Sequence, residues 1–232
     1  MAKTEKPQRL YRILDFTRVV QIFEKKELFF ASPNSWDDPY EKRIKHSKVN
    51  AVFAQCWSSA PISDAMWRIY SHNGMGVRVS TTDSKLRAAL KSSAKLKNYQ
   101  FRVAEVSYYP QSELDWKAKK IGQDLNEAFK ISRAIDALYM KRQAFDHEKE
   151  WRGTLYAKSV DLLQEHKGFT VPVDPHNFID RILLDPRAPD ELVRAFKFFF
   201  QEHLGFEGNV QRSALYKSPD QIEIEEILAD QL

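Results

Sequence analysis

Two glutamates separated by a single residue are the strongest candidates for chemistry in this sequence. Glu148 and Glu150 lie in the run His147-Glu148-Lys149-Glu150-Trp151-Arg152, where a predicted helix gives way to a predicted strand. In an extended backbone, residues i and i+2 point to the same side. Two like charges on one side repel, which raises the pKa of one of them. The pattern indicates either a carboxylate pair in a site or a solvated charged junction.

A cation lies inside an otherwise apolar predicted strand near the start of the chain. Arg12 follows Tyr11 in the run Leu10 to Ile13. A guanidinium offers a planar fork of donors that suits phosphates and ribose hydroxyls. An arginine in such a strand more commonly faces solvent on the alternate side. An anion clamp and a solvent-facing side chain therefore both remain open.

Two further segments combine aromatic residues with charge. The turn-rich stretch Ser32 to Glu41 places Asp37 and Asp38 beside Trp36, either as turn formers or as acids that line a cleft. The stretch Met66 to Tyr70 contains two aromatic residues at helical spacing. Such residues usually pack in a core, but they can also form a wall that stacks on a flat or cationic ring.

Composition excludes several functional classes. The chain has 232 residues, of which 43% are hydrophobic and 29% charged, and a single cysteine, Cys56. No apolar run approaches the ~18 residues that a membrane span needs, and residues 1–7 lack the apolar segment of a secretory signal. One cysteine allows neither an internal disulfide nor a Cys-rich zinc site. We expect a cytoplasmic protein with no membrane partner and no bound metal.

Charge is unevenly distributed along the chain. The formal net charge is +4, but residues 217–232 contain one lysine against five acids. That segment carries a balance of −4, which leaves about +8 on residues 1–216. A basic body attracts nucleic acid or another polyanion, although a solvated basic surface is the commoner explanation. We predict a single domain over residues 1–216 and an acidic tail over residues 217–232.

Hydrophobic periodicity predicts strands scattered among helices without strict alternation. This order favours an α+β fold with a mixed or antiparallel sheet and flanking helices over a doubly wound sheet. The predicted strands cover residues 10–13, 28–32, 52–57, 77–80, 101–109, 150–157, 178–184 and 210–216. The predicted helices cover residues 17–27, 63–70, 82–92, 112–147 with a bend near 132, and 190–204.

Taken in order, these segments resemble the bacterial family catalogued as domain of unknown function 2971. The resemblance covers about residues 9–216, and its most specific pieces are Trp67-Arg68-Ile69-Tyr70 and Glu148-Lys149-Glu150-Trp151-Arg152. The sequence departs from the family pattern at Asp37, where the family more often has Asn, and at Phe145, where it often has Trp.

The order of parts is also similar to that of ADP-ribosyltransferases, in a weaker resemblance. Both have a strand with Arg, a helix, a strand ending in Ser and a late strand opened by Glu-x-Glu. The likeness implies a split sheet and NAD as the substrate. It implies that Arg12, with Tyr11 beside it, holds the NAD ribose and phosphates and that Ser32 supports the nicotinamide pocket. Trp67 or Tyr70 would stack near the nicotinamide ring.

The same likeness implies roles for the two glutamates. Glu150 would accept a hydrogen bond from the ribose 2′-hydroxyl, which strengthens as positive charge develops on the sugar. Glu148 would orient or deprotonate the acceptor. The acceptor would be a protein or a nucleic acid, and the basic body favours nucleic acid. The biological role implied is a toxin or anti-phage defence effector, with an antitoxin or regulator as a further partner.

Two other functional classes stay open. The first is a module that binds nucleic acid or a partner without catalysis, for which binding would depend steeply on salt. The second is a metal-dependent hydrolase or nuclease that uses Asp37, Asp38, Glu148 and Glu150 around magnesium or manganese. A chelator would abolish the activity of the second class and would leave that of a transferase unchanged.

Overall fold

The computed structural model describes residues 6–46, 48–157 and 167–222. The acidic tail predicted over residues 217–232 lies outside these residues from position 223 onward. The strands are β1 (Arg9–Asp15), β2 (Glu27–Ala31), β3 (Val52–Ser58), β4 (Gly76–Thr82), β5 (Tyr99–Glu105), β6 (Ser107–Tyr109), β7 (Met140–Arg142), β8 (Glu150–Ala157), β9 (Gly168–Pro172), β10 (Arg181–Leu184) and β11 (Asn209–Arg212). The helices are α1 (Phe16–Lys25), α2 (Asp64–Tyr70), α3 (Asp83–Lys97), α4 (Gln111–Glu127), α5 (Ile131–Asp136), α6 (Pro175–Phe178) and α7 (Asp190–Phe198).

Nine of the described strands form one mixed sheet. Its path is β11-β10-β4-β1-β3-β2-β9, and β8 lies between β3 and β5 as a branch from this path. The pair β10 and β11 is parallel, whereas the other paired strands of this sheet are antiparallel. Strands β6 and β7 form a separate parallel pair. The predicted α+β class with a mixed sheet and flanking helices is confirmed.

The sheet divides at β3. One edge of β3 is paired along its whole length with β8, from Val52 to Ser58. Its other pairings are short: Ser58 with Tyr11 of β1 at one end, and Ala54 with Ala31 of β2 nearer the other. Strands β1 and β2 therefore diverge from a shared neighbour. The Gln55 side chain lies at this divergence, where its amide donates to the Phe29 carbonyl at 2.9 Å and accepts from Trp57 Nε1 at 2.9 Å.

The largest cluster of apolar side chains covers one face of the sheet. Alternation along β1 and β4 directs Leu10 and Val79 to this face, where they pack with residues of α1, α3 and α7. The opposite face carries two smaller clusters. One joins Val52 and Tyr156 to α5 and the turn after it, and the other joins Ile13 of β1 to α2 and β10.

Helix starts follow the capping residues that the sequence supplies. Ser63 caps α2 by accepting a hydrogen bond from the Met66 amide at 3.2 Å, and Thr82 caps α3 by accepting from the Lys85 amide at 3.3 Å. Helix α7 continues into a π-helical turn and ends before Gly205, whose φ is +62°. No helix in the described part of the chain is long and apolar enough to cross a membrane.

The prediction of a helix through residue 147 is wrong. Helix α5 ends at Asp136 and is followed by a 3₁₀ turn, by β7 and by a second 3₁₀ turn over Gln143–Glu148. Tertiary contacts override the helical pattern here, because Tyr139 Oη donates to the Arg102 carbonyl at 3.1 Å and β7 pairs with β6. Smaller differences are a break at Val106 between β5 and β6, α6 ahead of β10, an end of β11 at Arg212, and β9, which was not predicted.

A buried carboxylate joins the loop before β4 to the loop after β10. The Asp185 side chain is fully buried and accepts hydrogen bonds from Ser71 Oγ and from Arg187, at 3.0 Å from Nε and 2.8 Å from Nη2. Burial alone would raise the pKa of Asp185, but the hydrogen bonds from Arg187 and Ser71 outweigh it and lower the pKa. The folded state therefore favours the ionised form.

Replacement of Asp185 by Asn should lower the free energy of unfolding by about 1.5–3 kcal/mol, because it removes the charge that strengthens the hydrogen bonds from Arg187 and Ser71. Asp190→Asn is the matched control, since Asp190 is 64% exposed where it pairs with Arg212, and should cost no more than about 1 kcal/mol. Because the pKa of Asp185 is lowered in the folded state, its ionised form stabilises the fold fully at pH values above the ordinary aspartate pKa. This stabilisation is lost as the pH falls through the folded-state pKa. Urea denaturation at neutral and acidic pH measures both effects, and equal losses for the two variants would contradict the assignment.

Candidate active site

Glu150 is the first residue of β8 and is only 3% exposed. Arg152 lies two residues further along the same strand and on the same face. It donates two hydrogen bonds to the Glu150 carboxylate, from Nε to Oε1 at 2.5 Å and from Nη2 to Oε2 at 2.9 Å. Burial alone would raise the pKa of Glu150, but the charge and hydrogen bonds of Arg152, together with Lys141, lower it to about 2. Glu150 is therefore ionised throughout the physiological range.

Arg152 is held by groups from distant parts of the chain. It is 1% exposed, and its Nη1 donates to the Leu138 carbonyl at 2.5 Å. Its Nη2 also donates to the carboxylate of Glu41. The ring of Trp36 covers the guanidinium, with its centroid 4.5 Å from Cζ. The acidic and aromatic segment that the sequence singled out thus packs against the Glu-x-Glu segment.

Lys141 of β7 connects the two glutamates. Its Nζ lies 2.5 Å from Glu148 Oε2 and 3.2 Å from Glu150 Oε2. The pKa of Glu148 is raised, chiefly by burial, although Lys141 opposes the shift. The two carboxyl groups therefore have pKa values displaced in opposite directions. Glu41, Glu148 and Glu150 against Lys141 and Arg152 leave one excess negative charge in this cluster, which we call the Glu150 network.

The two glutamates meet by a different route from the one predicted. Glu148 ends a 3₁₀ turn, and Lys149 has a left-handed φ of +43°, so residues 148–150 are not extended. The backbone is held by Ser58 Oγ, which donates to the Glu148 carbonyl at 2.7 Å, and by the Glu150 amide, which donates to Tyr108 Oη at 2.7 Å. The two carboxyl groups are neighbours because both contact Lys141, and not because they alternate along a strand.

Cys56 and Tyr70 lie beside the Glu150 network. Burial, followed by the charge of the neighbouring Glu150, raises the pKa of the Cys56 thiol. Cys56 is nonetheless partly exposed, so solvent approaches the carboxylate here. Partial burial and the charge of Glu148 raise the pKa of Tyr70 to about 12. Cys56 therefore lies in a charged rather than an apolar environment.

Arg12 lies on the other face of the sheet from Glu150. Strand register places it beside Val79, and it borders a cavity of only about 10 Å³ with Ile22 and Trp57. It makes no hydrogen bond or ion pair with any residue that the structure describes. Burial lowers its pKa, and its charge acts on Cys56 and Tyr70. Arg12 and Glu150 therefore share these electrostatic neighbours across the sheet.

The remaining predicted site residues have other environments. Tyr11 lies in register with Ser58, and Arg78 stacks over its ring with Cζ 4.7 Å from the centroid. Ser32 is buried and caps a 3₁₀ turn by accepting from the Asn34 amide at 3.4 Å. Trp67 is 1% exposed and packs in the apolar cluster of α2. The structure joins Glu148 and Glu150 through Lys141, and the charges of both glutamates act on Tyr70.

Sequence reasoning missed Lys141 and the part played by Arg152. Lys141 lies inside the segment wrongly predicted as helix, where a lysine between Met140 and Arg142 carries no signal. Arg152 was detectable in principle, because alternation in the predicted strand puts it on the same face as Glu150. Three of the four acids considered for a metal site, Asp38, Glu148 and Glu150, are instead paired with cations, as in the 3.3 Å contact of Asp38 with Arg142. Over the described ranges, no group of three or more His, Cys, Asp or Glu residues is arranged to hold a metal.

Comparisons with known proteins give one family match and distant structural likenesses. Residues 66–153 match the family model described as "Protein of unknown function (DUF2971)", which confirms the predicted resemblance over that part of the chain. A search of curated proteins finds no match. The structure of Thermus sp. 2.9 DarT in complex with NAD+ is 11% identical, with 90% of this chain and 96% of that chain covered and a TM-score of 0.42. The structure of Thermus sp. 2.9 DarT in complex with ADP-ribosylated ssDNA is 12% identical, with 89% and 94% covered and a TM-score of 0.43.

The Cys56 thiol provides a direct test of the site geometry, because it is the only thiol in the chain. Glu150→Gln removes the carboxylate that raises the thiol pKa and leaves the Arg152 charge that lowers it. We expect alkylation by iodoacetamide at pH 8 to be at least about tenfold faster in this variant, since the thiolate reacts. Glu148→Gln is the matched control and should react at close to the wild-type rate. Equal rates in all three folded proteins would contradict the contact between Cys56 and Glu150.

Proposed function

We propose that this chain is an ADP-ribosyltransferase that cleaves NAD and transfers ADP-ribose to an acceptor, with Glu150 as its essential carboxylate. The observation that carries the proposal is the pair of carboxyl groups at Lys141 whose pKa values are displaced in opposite directions. Paired carboxyl groups with separated pKa values are the usual arrangement for dividing charge stabilisation from proton transfer at a glycosidic bond.

Glu150 suits the charge-stabilising role. When the bond between nicotinamide and ribose C1′ breaks, the electron pair leaves with nicotinamide and positive charge develops on the sugar. Glu150 is permanently ionised, and Arg152 and Lys141 fix its orientation. The excess negative charge of the Glu150 network favours a cation beside it. Because Glu150 and Arg152 are almost fully buried, the charge of Glu150 acts with less screening than it would in water.

Glu148 suits the proton-transfer role. The acceptor hydroxyl, amine or ring nitrogen attacks C1′ and must lose a proton, which Glu148 takes. A base works best when its pKa lies near the operating pH, and burial moves the pKa of Glu148 in that direction. Tyr70, whose charge interactions include both glutamates, lies where a substrate ring could stack.

Arg12 suits the pyrophosphate of NAD because its partly buried guanidinium has no counterion among the described residues. Partial loss of hydration without a partner is costly, and an anion would relieve the cost. The neighbouring cavity is far too small for a dinucleotide, so β1 and β2 must separate further when NAD binds. Their divergence from β3 provides the place for this movement. Tyr11, Ser32 and Trp67 remain proposed contacts of the bound nucleotide.

The direct test is NAD consumption, measured as nicotinamide release with EDTA present and with single-stranded DNA, RNA or cell lysate as acceptor sources. Glu150→Gln keeps the shape and removes the charge, and should lower turnover about 10²- to 10³-fold. Glu105→Gln, at the end of β5, is the control and should retain wild-type turnover. Release in wild type that resists EDTA and is lost in Glu150→Gln supports the transferase.

Other outcomes identify the competing classes. No release under any condition, with nucleic acid binding that weakens steeply as salt rises, would leave a binding module without catalysis. Hydrolysis of a nucleic acid substrate that EDTA abolishes would identify the metal-dependent class. Undiminished release in Glu150→Gln would reject Glu150 as the essential carboxylate.

The pH dependence of transfer should report Glu148. Transfer is expected to fall on the acid side as pH drops through the raised pKa of Glu148, because a protonated carboxyl group cannot accept the acceptor proton. Glu150 stays ionised over this range and contributes no step of its own. In Glu148→Gln the acid limb should disappear together with about 10²- to 10⁴-fold of the transfer rate. An unchanged acid limb in that variant would assign the titration to another group.

A further inference from the structure

A groove lies between the segment after the Pro39–Lys42 turn and helix α4, and nothing in the proposed reaction uses it. Its volume is about 620 Å³, within the range of small-ligand sites. The groove is lined by cationic, aromatic and apolar side chains, and we call it the α4 groove. Its charged and aromatic lining residues are Arg43, Lys45, His46, Asp115, Lys119 and Phe129.

The charge of the α4 groove is positive. Lys45 and Lys119 are exposed on its rim. Asp115 is the one acid among the described residues that line it, and its carboxylate is paired with Arg43 at 2.6 Å. The two lysines therefore present charge that no acid lining the groove offsets. A polyanion that enters gains phosphate contacts and releases counterions.

The α4 groove also contains an exposed aromatic ring. Phe129 is 44% exposed and lies against His46, with ring centroids 5.6 Å apart. Burial lowers the pKa of His46, so its ring is neutral at pH 7 and adds a flat surface rather than a charge. An exposed aromatic ring between cationic side chains fits an unpaired base followed by phosphates. Bases in a duplex are stacked and cannot reach such a ring.

The groove is connected to the Glu150 network by a short stretch of chain. The segment Ile44–His46 forms one wall of the groove and also lines a second cavity, of about 430 Å³. Glu41 lines that second cavity, and its carboxylate binds Arg152, which holds Glu150. His46 follows Glu41 by five residues, which span at most about 17 Å, so this wall of the groove lies within that distance of Glu41.

We propose that the α4 groove binds a single-stranded nucleic acid and presents it as the acceptor to the Glu150 network. The role of the nucleic acid as acceptor rests on the proposed transferase function, whereas its binding to the groove does not require turnover. Lys45 and Lys119 contact phosphates, and Phe129 stacks on a base.

The test measures binding of a short fluorescein-labelled single-stranded oligonucleotide, as DNA and as RNA, by anisotropy without NAD. Lys45→Gln/Lys119→Gln should reduce the slope of log affinity against log salt concentration by about 1.4, the value for two lost contacts with a single strand. Phe129→Ala should weaken binding about 5- to 100-fold with no change of slope. The matched controls are Lys91→Gln/Lys95→Gln on α3 and the exposed Phe198→Ala on α7, which should bind as wild type.

The outcomes separate this inference from the proposed function. Glu150→Gln should bind the oligonucleotide as wild type does, so loss of NAD cleavage and loss of binding are independent results. Equal weakening by the groove and control variants would overturn the inference, because binding would then follow net charge alone. Equal affinity for duplex, or for a poly-glutamate peptide, would also overturn it and would identify a general polyanion surface instead.

Discussion

The bidentate contact between Arg152 and Glu150 is the interaction on which the rest of this site depends. Both side chains are almost fully buried, and buried ions are stable only when their partners satisfy them. Arg152 is also bound by the Glu41 carboxylate and the Leu138 carbonyl and is covered by the Trp36 ring, and Glu150 is also bound by Lys141. These partners come from separate parts of the chain. The requirement explains why the chain leaves its helical pattern after Asp136 and why the turn over Pro39–Lys42 packs against β8.

The sheet separates two kinds of unbalanced charge. On one face the Glu150 network holds an excess carboxylate, and on the other Arg12 is a partly buried cation without a counterion among the described residues. Cys56 and Tyr70 interact electrostatically with both Arg12 and Glu150. A dinucleotide carries a pyrophosphate between its two ribosides, and one of those sugars develops positive charge in the reaction, so such a molecule would satisfy both imbalances. The divergence of β1 and β2 from β3 is where the structure is open to such a molecule.

The sequence predicts most elements of the fold because their signals are local. Alternating apolar residues mark β1, β3 and β8, and Ser63 and Thr82 mark the starts of α2 and α3. Residues 137–148 defeat this reasoning because tertiary partners, not propensity, decide their conformation. The prediction that Glu148 and Glu150 are neighbours holds in the structure, but the left-handed Lys149 and the cation that joins them cannot be read from the sequence.

Arg152 and Lys141 keep Glu150 permanently charged, whereas burial lets the neighbouring Glu148 gain a proton more easily. Titration of selectively ¹³C-labelled glutamate carboxyl groups by NMR measures this directly, with Glu148→Gln and Glu150→Gln to assign the signals. We expect the Glu150 signal to titrate only near pH 2 and the Glu148 signal to titrate above the ordinary glutamate pKa. In Lys141→Met the two values should move upward together. Two ordinary glutamate titrations in the wild-type protein would contradict the claim.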